Sequence, residues 1–398
     1  MNIFMIPSWY PSESNPIYGT FNQEQARILA GERPKWSIGV SRWGQGDERF
    51  LLRAADWKSI PKAFKTYEIH KEVVLPNLTE YFAPAFTWTR KFRKGNIKGI
   101  VEANRINLAQ YTADFGKPDI ISAQASYPAS IIARQLSREF GIPYVVMIQM
   151  SPFPFSEFLA GKGKINPLIY GPLQEANLLL ASSNHLEETM NGYGLRKIAR
   201  VNYAIDTDLF KPAKHSTPAG KTVILSVGRM EDQKGIDLLI KSLVGMKLPD
   251  QIEFRMVGDG SLLEEYQALS VRLGVDKKIT WTGALNRERV AEEMRACSFF
   301  VLPSRHETFG NVVLEAMATG KPVVVTRCGG PEDFVNEQYG LICEPEVKEI
   351  RTTIEQMIVD YTSYDAQKIR KGVMRQFGPE AWVNRMEEVF TRVIPSLS

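Results

Sequence analysis

LPSRHETFGNVVLEAMATGKPVVVT, residues 302–326, spans a strand end, a turn, a helix and a second strand. The apolar run Ser298 to Leu302 is short enough for a buried strand, and Pro303 ends it. A polar turn, Ser304 to Phe309, leads to Gly310 and a helix, and Lys321-Pro322 punctuates a second strand, Val323 to Thr326. This is a βαβ unit whose turn falls at the carboxyl end of its first strand, where open parallel sheets bind ligands. Two carboxylates frame it, Glu307 in the turn and Glu315 in the helix. Val312, Val313, Ala316 and Met317 form the helix's apolar face. Glu315 lies off the centre of that stripe, on the side of Asn311, so it need not be buried. A surface helix commonly carries a glutamate for solubility, so either carboxylate alone means little. The pair around a Gly-opened helix makes a candidate site.

A chain of 398 residues exceeds one ordinary domain and predicts two, each able to bury a core. Hydrophobic content of 44% and charged content of 24% are those of a soluble globular protein. Met1 to Pro7 opens on an apolar, strand-like run without the basic start of a signal peptide. No window approaches the roughly 18 apolar residues of a membrane span. Cys297, Cys328 and Cys343 are odd in number and lack metal-ligand spacing. They read as reduced thiols of a cytoplasmic protein. The net charge of +4 is uneven, basic over residues 1–203 and mildly acidic beyond, so the halves meet different partners.

In the first half, Asn2 to Ile6 reads as a strand, followed by a turn-rich loop to Gly19-Thr20 and a helix from Phe21 to Ala30. Gly19 before a helix N-terminus lets a phosphate approach backbone N–H groups, although an ordinary turn has the same signature. Ser37 to Val40 and Thr66 to Leu75 look like strands, and the pattern over 76–96 is irregular. Arg90, Lys91, Arg93, Lys94 and Lys98 lie among Phe86, Trp88 and Phe92, which suits an anionic membrane surface, a phosphate-bearing acceptor or a solvated face with anchoring aromatics. No nucleic-acid module accompanies the charge, so nucleic acid is not an expected partner. Strands at Asp119–Ala123, Tyr144–Ile148 and Leu178–Ala181 then alternate with helices. The pattern predicts a doubly wound parallel sheet. Gln124, Ser126, Tyr127 and Gln149 follow strand ends and should face its crevice.

Val201 to Pro212 loses periodicity and reads as the connection between domains 1–203 and 204–378. Its Asp206 and Asp208 form an acidic pair, but nothing nearby supplies further ligands. A turn is the better reading, and no metal site is expected. Strand Lys221–Val227 runs into Gly228-Arg229 and Lys234-Gly235. That βα turn suits an anion, with Arg as a fork and Lys as a mobile point charge. Gly258-Asp259-Gly260 begins like a dinucleotide fingerprint but has Leu263 at the third glycine, which excludes a nicotinamide site of that kind. Gly320-Lys321-Pro322 likewise lacks the Ser/Thr and upstream glycine of a P-loop. A last helix, Pro379 to Val393, carries Trp382, Met386, Val389 and Phe390 on one face.

Taken together, Gly228-Arg229 with Lys234-Gly235, Gly258-Asp259-Gly260, Glu307-Thr308-Phe309-Gly310 with Glu315, and Gly320-Lys321-Pro322-Val323 resemble the family 4 glycosyltransferases. These are retaining, nucleotide-sugar-dependent enzymes. The resemblance implies a GT-B-like α/β fold: two doubly wound, Rossmann-like domains facing a cleft, with the final helix (379–398) crossing back to the first. It implies that Arg229 and Lys234 hold the donor diphosphate with Gly19 and the amides of Phe309, Gly310 and Asn311. Glu315 would take ribose hydroxyls and Glu307 the donor sugar, making Glu307, Arg229 and Lys234 the catalytic set. The donor would be UDP- or GDP-linked, with no cofactor or metal, and the acceptor a glycan or lipid-linked glycan of surface polysaccharide synthesis. The enzyme would be cytoplasmic, touching the inner face of the membrane through its basic patch. Ser122, Gln124 and Gln149 stand where the family commonly has histidine, and Ala204 where a glycine is usual. Gln124 and Gln149 offer hydrogen bonds but no general base. A nucleotide-sugar-binding protein without turnover is therefore an alternative, as is another enzyme on this fold, such as an epimerase or a phosphorylase.

Overall fold

The buried strand Phe299–Leu302 shows how the second half of the chain is built. Phe299 and Val301 face one apolar cluster, with Ile224, Phe254 and Val324, while Phe300 and Leu302 face another, with Leu225, Val323 and Val325. All four side chains are buried. Alternate residues of a strand point to opposite faces, so both faces must be covered. Each such burial contributes about 2 kcal/mol. The computed structural model describes residues 1–16, 18–51, 68–88, 95–149, 152–213, 220–246 and 248–395.

The chain forms two compact units. The first comprises Met1–Ala181, Glu187–Val201 and the chain from Val383 on; the second comprises Ser182–Leu186 and Asn202–Trp382. Strands of the first unit are β1 (Asn2–Pro7), β2 (Ser37–Arg42), β3 (His70–Leu75), β4 (Leu78–Phe82), β5 (Ile120–Gln124), β6 (Tyr144–Met147), β7 (Leu178–Ala181) and β8 (Ile198–Arg200). They lie in the order β3-β4-β2-β1-β5-β6-β7-β8. Helices α1 (Thr20–Glu32), α2 (Ile97–Phe115) and α3 (Ala129–Phe140) cover the central strands, followed by α4 (Pro167–Glu175) and α5 (Asn184–Gly192). The sheet is parallel except at its edge, where β3 runs antiparallel to β4.

This hairpin corrects the reading of residues 76–96 as irregular. Leu78–Phe82 is a wholly buried strand. Its pattern is hidden because Glu80 stands mid-strand, buried with its charge answered by Arg42 and its other oxygen by the Tyr10 hydroxyl. The strand expected from Thr66 is described only from His70, residues 66–67 lying outside the described set.

The second unit orders its strands β11-β10-β9-β12-β13-β14, all parallel. They are β9 (Thr222–Val227), β10 (Ile252–Val257), β11 (Ile279–Gly283), β12 (Phe299–Leu302), β13 (Val323–Thr326) and β14 (Gly340–Cys343). Helices α6 (Ile236–Ser242), α7 (Leu263–Arg272), α8 (Arg287–Ala296), α9 (Asn311–Ala318), α10 (Val347–Asp360) and α11 (Ala366–Phe377) complete the layers. Adjacent β9 and β12 sit mid-sheet, so the turns after them, Gly228–Gly235 and Pro303–Gly310, are neighbours. Ser182–Leu186 joins this unit through Asn184, whose backbone N–H and side-chain amide each donate to Asp333 at 2.7 Å.

The last helix, α12 (Pro379–Val393), leaves the second unit at Trp382 and continues in the first. Its predicted apolar face, Trp382, Met386, Val389 and Phe390, is buried. In the first unit Arg33 forks onto Glu387 at 2.8 and 2.9 Å, and Trp36 packs on Phe390. Among the described residues no helix is long and apolar enough to cross a membrane.

Candidate active site

Two close backbone approaches in the second unit bring the candidate residues together. A Cβ on Gly258 would stand 1.8 Å from the carbonyl oxygen of Gly228, so the turn after β10 presses on the turn after β9. Gly235 has φ of 62°, and a Cβ there would stand 2.0 Å from the carbonyl oxygen of Pro303. Only glycine tolerates both the left-handed backbone and the contact. The approach sets Lys234 against the turn that carries Glu307.

Lys234 Nζ donates to Glu307 Oε1 at 2.6 Å, and Ser304 Oγ donates to the same oxygen at 2.9 Å. The Glu307 side chain is 7% exposed and that of Lys234 17%. The cation expected on a diphosphate and the carboxylate expected on a sugar are thus in direct contact. Arg305 fastens the same turn from outside. Its amide donates to the Gln233 carbonyl at 2.8 Å and its guanidinium to both oxygens of Asp237 at 2.8 and 2.9 Å. Burial pushes the Asp237 carboxyl up, but hydrogen bonds from Arg305 and Lys241 outweigh it and hold the carboxyl below its ordinary value. Arg229 stands apart, pairing with Glu231 at 2.9 Å with its side chain 62% exposed.

Gly310, at φ of 90°, opens α9. The side chain of Phe309 turns into the core among Tyr203, Phe334 and Phe377, leaving only its backbone to meet a ligand. The Asn311 side-chain oxygen is buried without a hydrogen-bond partner, in the first turn where α9's leading amides lack helical acceptors. Glu315 is a correction: it is 4% exposed, not on the open side of the helix. It is buried because Arg287 Nη1 donates to its Oε1 at 2.6 Å, a partner that no periodicity around residue 315 reveals. Burial, reinforced by the charges of Glu307 and Glu332, pushes the Cys328 thiol well above its usual range.

In the first unit Gly19 caps α1 with φ of 75° and lies on the Trp9–Tyr10 peptide, where a Cβ would stand 2.3 Å from the Trp9 carbonyl carbon. Ser122, Gln124 and Gln149 form a chain of neutral bonds. Gln149 Nε2 donates to Gln124 Oε1 at 2.8 Å, and Gln124 Nε2 to Ser122 Oγ at 3.0 Å. Ser126 is fully buried. Tyr127 lines a cavity of about 940 Å³ with Trp43, Trp88, Gln45 and Asn166. Asp206 accepts from the amides of Asp208 and Leu209 at 3.1 and 2.9 Å, so this aspartate caps a turn. No group of three metal-ligating side chains occurs among the described residues. Arg90, Lys91, Arg93 and Lys94 lie outside the described residues.

Sequence reasoning missed Ser304, Arg287 and the Arg305–Asp237 clamp. Each works through a partner distant in sequence or a polar turn residue with no period of its own.

Comparisons with known proteins give this geometry its context. The family described as glycosyl transferases group 1 matches residues 208–372. An uncharacterized glycosyltransferase of Methanocaldococcus jannaschii is 27% identical over 294 residues, 72% of this chain and 76% of that protein. A lipopolysaccharide core biosynthesis glycosyltransferase of Rhizobium meliloti is 32% identical over 173 residues, 42% of this chain and 49% of that protein, so the chain spans about half of that relative. The Anabaena protein HepE, solved in complex with UDP, superposes with a TM-score of 0.67 at 19% identity, covering 98% of this chain and 99% of that one. Residues 208–372 of the chain thus resemble the group 1 glycosyl transferases, and its two doubly wound parallel-sheet units have the GT-B fold.

Proposed function

We propose that the protein transfers a hexosyl group, with retention of configuration, from a nucleotide-diphosphate donor to a glycan or lipid-linked acceptor. The observation that carries this reading is the Lys234–Glu307–Ser304 cluster, in which Glu307 and Ser304 are buried and Lys234 is half-buried. A buried ion pair adds little net stability, because desolvation offsets the attraction. Its presence at a strand's carboxyl end fits a ligand better than it fits packing. Lys234 and Arg229 supply positive charge for the donor diphosphate, with the amides of Phe309, Gly310 and Asn311. Among the described residues, Glu307 receives both of its side-chain bonds on Oε1, which leaves Oε2 for a donor-sugar hydroxyl. Glu315 takes the ribose.

In this mechanism the acceptor hydroxyl attacks the anomeric carbon from the face the diphosphate leaves. The bond from that carbon to the phosphate oxygen breaks, and the departing phosphate takes the acceptor's proton. Cations preorganised on the leaving group stabilise its developing charge, so the reaction as proposed needs no bound metal or cofactor. In the first unit, Gly19 offers a backbone approach to a phosphate. Gln124, Ser126, Tyr127 and Gln149 offer polar contacts to the sugar or acceptor. HepE's complex with UDP supports a UDP-linked donor, a GDP-linked one rests on the resemblance, and the Rhizobium relative's name supports polysaccharide synthesis. A cytoplasmic location with peripheral membrane contact through Arg90, Lys91, Arg93 and Lys94 rests on the sequence.

Nucleotide release from a panel of UDP- and GDP-sugars, with and without acceptor extract, tests the proposal. Acceptor-dependent release that is lost in Glu307→Ala is expected. The bonded amide chain Ser122–Gln124–Gln149 favours a second reading, a binding protein without turnover. Tight donor binding with no release under any acceptor condition would establish that reading instead.

A further inference from the structure

Glu315 is held by more than one bond. Arg287 Nη1 reaches its Oε1 at 2.6 Å, and the same guanidinium lies 4.9 Å over the Phe210 ring. Phe210 is fully buried, and its carbonyl accepts from Arg370 Nη1 at 2.9 Å. Arg370 Nη1 also donates to the carbonyl of Ala318 at 2.6 Å, the last residue of the helix that carries Glu315. The contacts close a circuit, Glu315 to Arg287 to Phe210 to Arg370 and back to the helix.

The placement of Arg287 is unfavourable for its own helix. It is the first residue of α8, where the helix dipole disfavours a cation. A guanidinium held over a ring and bonded to a carboxylate is restrained at two points. That fixes the carboxylate in turn, with Oε1 taken and Oε2 presented in one orientation.

We infer that Arg287 is a positioning residue that sets ribose recognition by Glu315, and with it the discrimination of ribonucleotides from deoxyribonucleotides. The inference rests on the reading of Glu315 as the ribose acceptor. A hydroxyl bonded to a correctly aimed carboxylate is worth about 10-fold or more in affinity, and a carboxylate free to rotate does not select for it.

The test is calorimetric binding of UDP against 2′-deoxy-UDP, and GDP against 2′-deoxy-GDP, to the full chain. Wild type is expected to prefer the ribonucleotide by about 10-fold or more, and Arg287→Met to compress that ratio to within about 2-fold. Arg287→Lys, which keeps the charge but not the guanidinium fork, is expected to fall between them. Arg287→Met leaves Glu315 buried and unpaired. The double variant Arg287→Met/Glu315→Gln removes both charges and, once folded by circular dichroism, is expected to show a ratio near one. A folded Arg287→Met or Arg287→Lys that keeps the wild-type ratio, while Glu315→Gln loses it, overturns the inference alone. A wild type with no ribose preference, unchanged in Glu315→Gln, overturns the ribose reading of Glu315 and the inference with it.

Discussion

Lys234 and Glu307, 73 residues apart in the chain, are bonded directly, Nζ to Oε1 at 2.6 Å. The two turns of the candidate site therefore share one charge pair, and any change to one partner is felt by the other. Removing one member of a buried pair leaves an uncompensated charge, which costs about 3 kcal/mol or more. Lys234→Met is expected to lower the denaturation midpoint and to weaken UDP or GDP binding at least 10-fold. Lys234→Met/Glu307→Gln should recover most of the stability and none of the binding. Chemical denaturation with calorimetry on the same samples measures both. Recovery of binding in the double variant would contradict the assignment of Lys234 to the diphosphate.

The same two turns are set by Gly235. Gly235 and Gly274 have similar backbone angles, φ of 62° and 69°, but a Cβ on Gly274 meets nothing within 4 Å. Gly274→Ala thus isolates the cost of the left-handed backbone, about 1 kcal/mol. Gly235→Ala adds the collision with the Pro303 carbonyl. It is expected to cost about 2 kcal/mol more and to weaken nucleotide binding, whereas Gly274→Ala leaves binding unchanged. Equal stability of the two variants in urea denaturation would refute the contact.

The three thiols are free, buried and shifted up. Burial pushes Cys297 up to about 12 and Cys343 up to about 11, and Cys328 beyond them. Thiolate is the reactive form, so none of the three should react with a disulfide reagent near pH 8 in the folded protein. All three should react on denaturation. A thiol that reacts quickly in the native state would show that its cover is incomplete.

The final helix is docked in the first unit by Arg33 on Glu387 and by Trp36 on Phe390. Phe390 is fully buried, so Phe390→Ala is expected to cost about 3–5 kcal/mol. Glu387→Gln, at a half-exposed pair, should cost less than about 1 kcal/mol. Thermal denaturation of the two variants separates packing from charge, and comparable losses would contradict the ranking.

The parts of this structure legible in the sequence are those where burial and period agree. Phe299–Leu302 and Val323–Thr326 read as strands because every residue is apolar, as a sheet covered on both faces requires. The edge hairpin is half legible: the sequence reads as a strand up to Leu75, where β3 ends, but its partner β4 is hidden because Glu80 interrupts it. Lys234 and Glu307 were legible as residue types beside glycines, but their contact was not, since it depends on adjacent strand ends. The burial of Glu315 was misjudged for the same reason: Arg287, 28 residues earlier, is what permits it.

The Arg305–Asp237 clamp gives the site turn a pH dependence whose sign follows from its charge. The Asp237 carboxyl, raised by burial but lowered more by Arg305 and Lys241, ionises below its ordinary value of 3.8 in the folded protein. A carboxyl depressed on folding contributes stability that is present above its unfolded pKa and lost as pH falls through its folded one. The contribution should be constant from about pH 7 to about pH 5 and decline as pH falls below 3.8 toward the folded value. Arg305→Met removes the main partner, so the variant is expected to be less stable near neutrality and to lose less on acidification. The stability difference between wild type and variant should narrow steadily toward about pH 3. Asp237→Asn with Arg305 intact should remove the same slope, because the titrating group is gone. Denaturation midpoints of the three proteins between about pH 7 and pH 3 check the ordering. A gap that widens toward acid would reverse the sign and place the titrating carboxyl elsewhere.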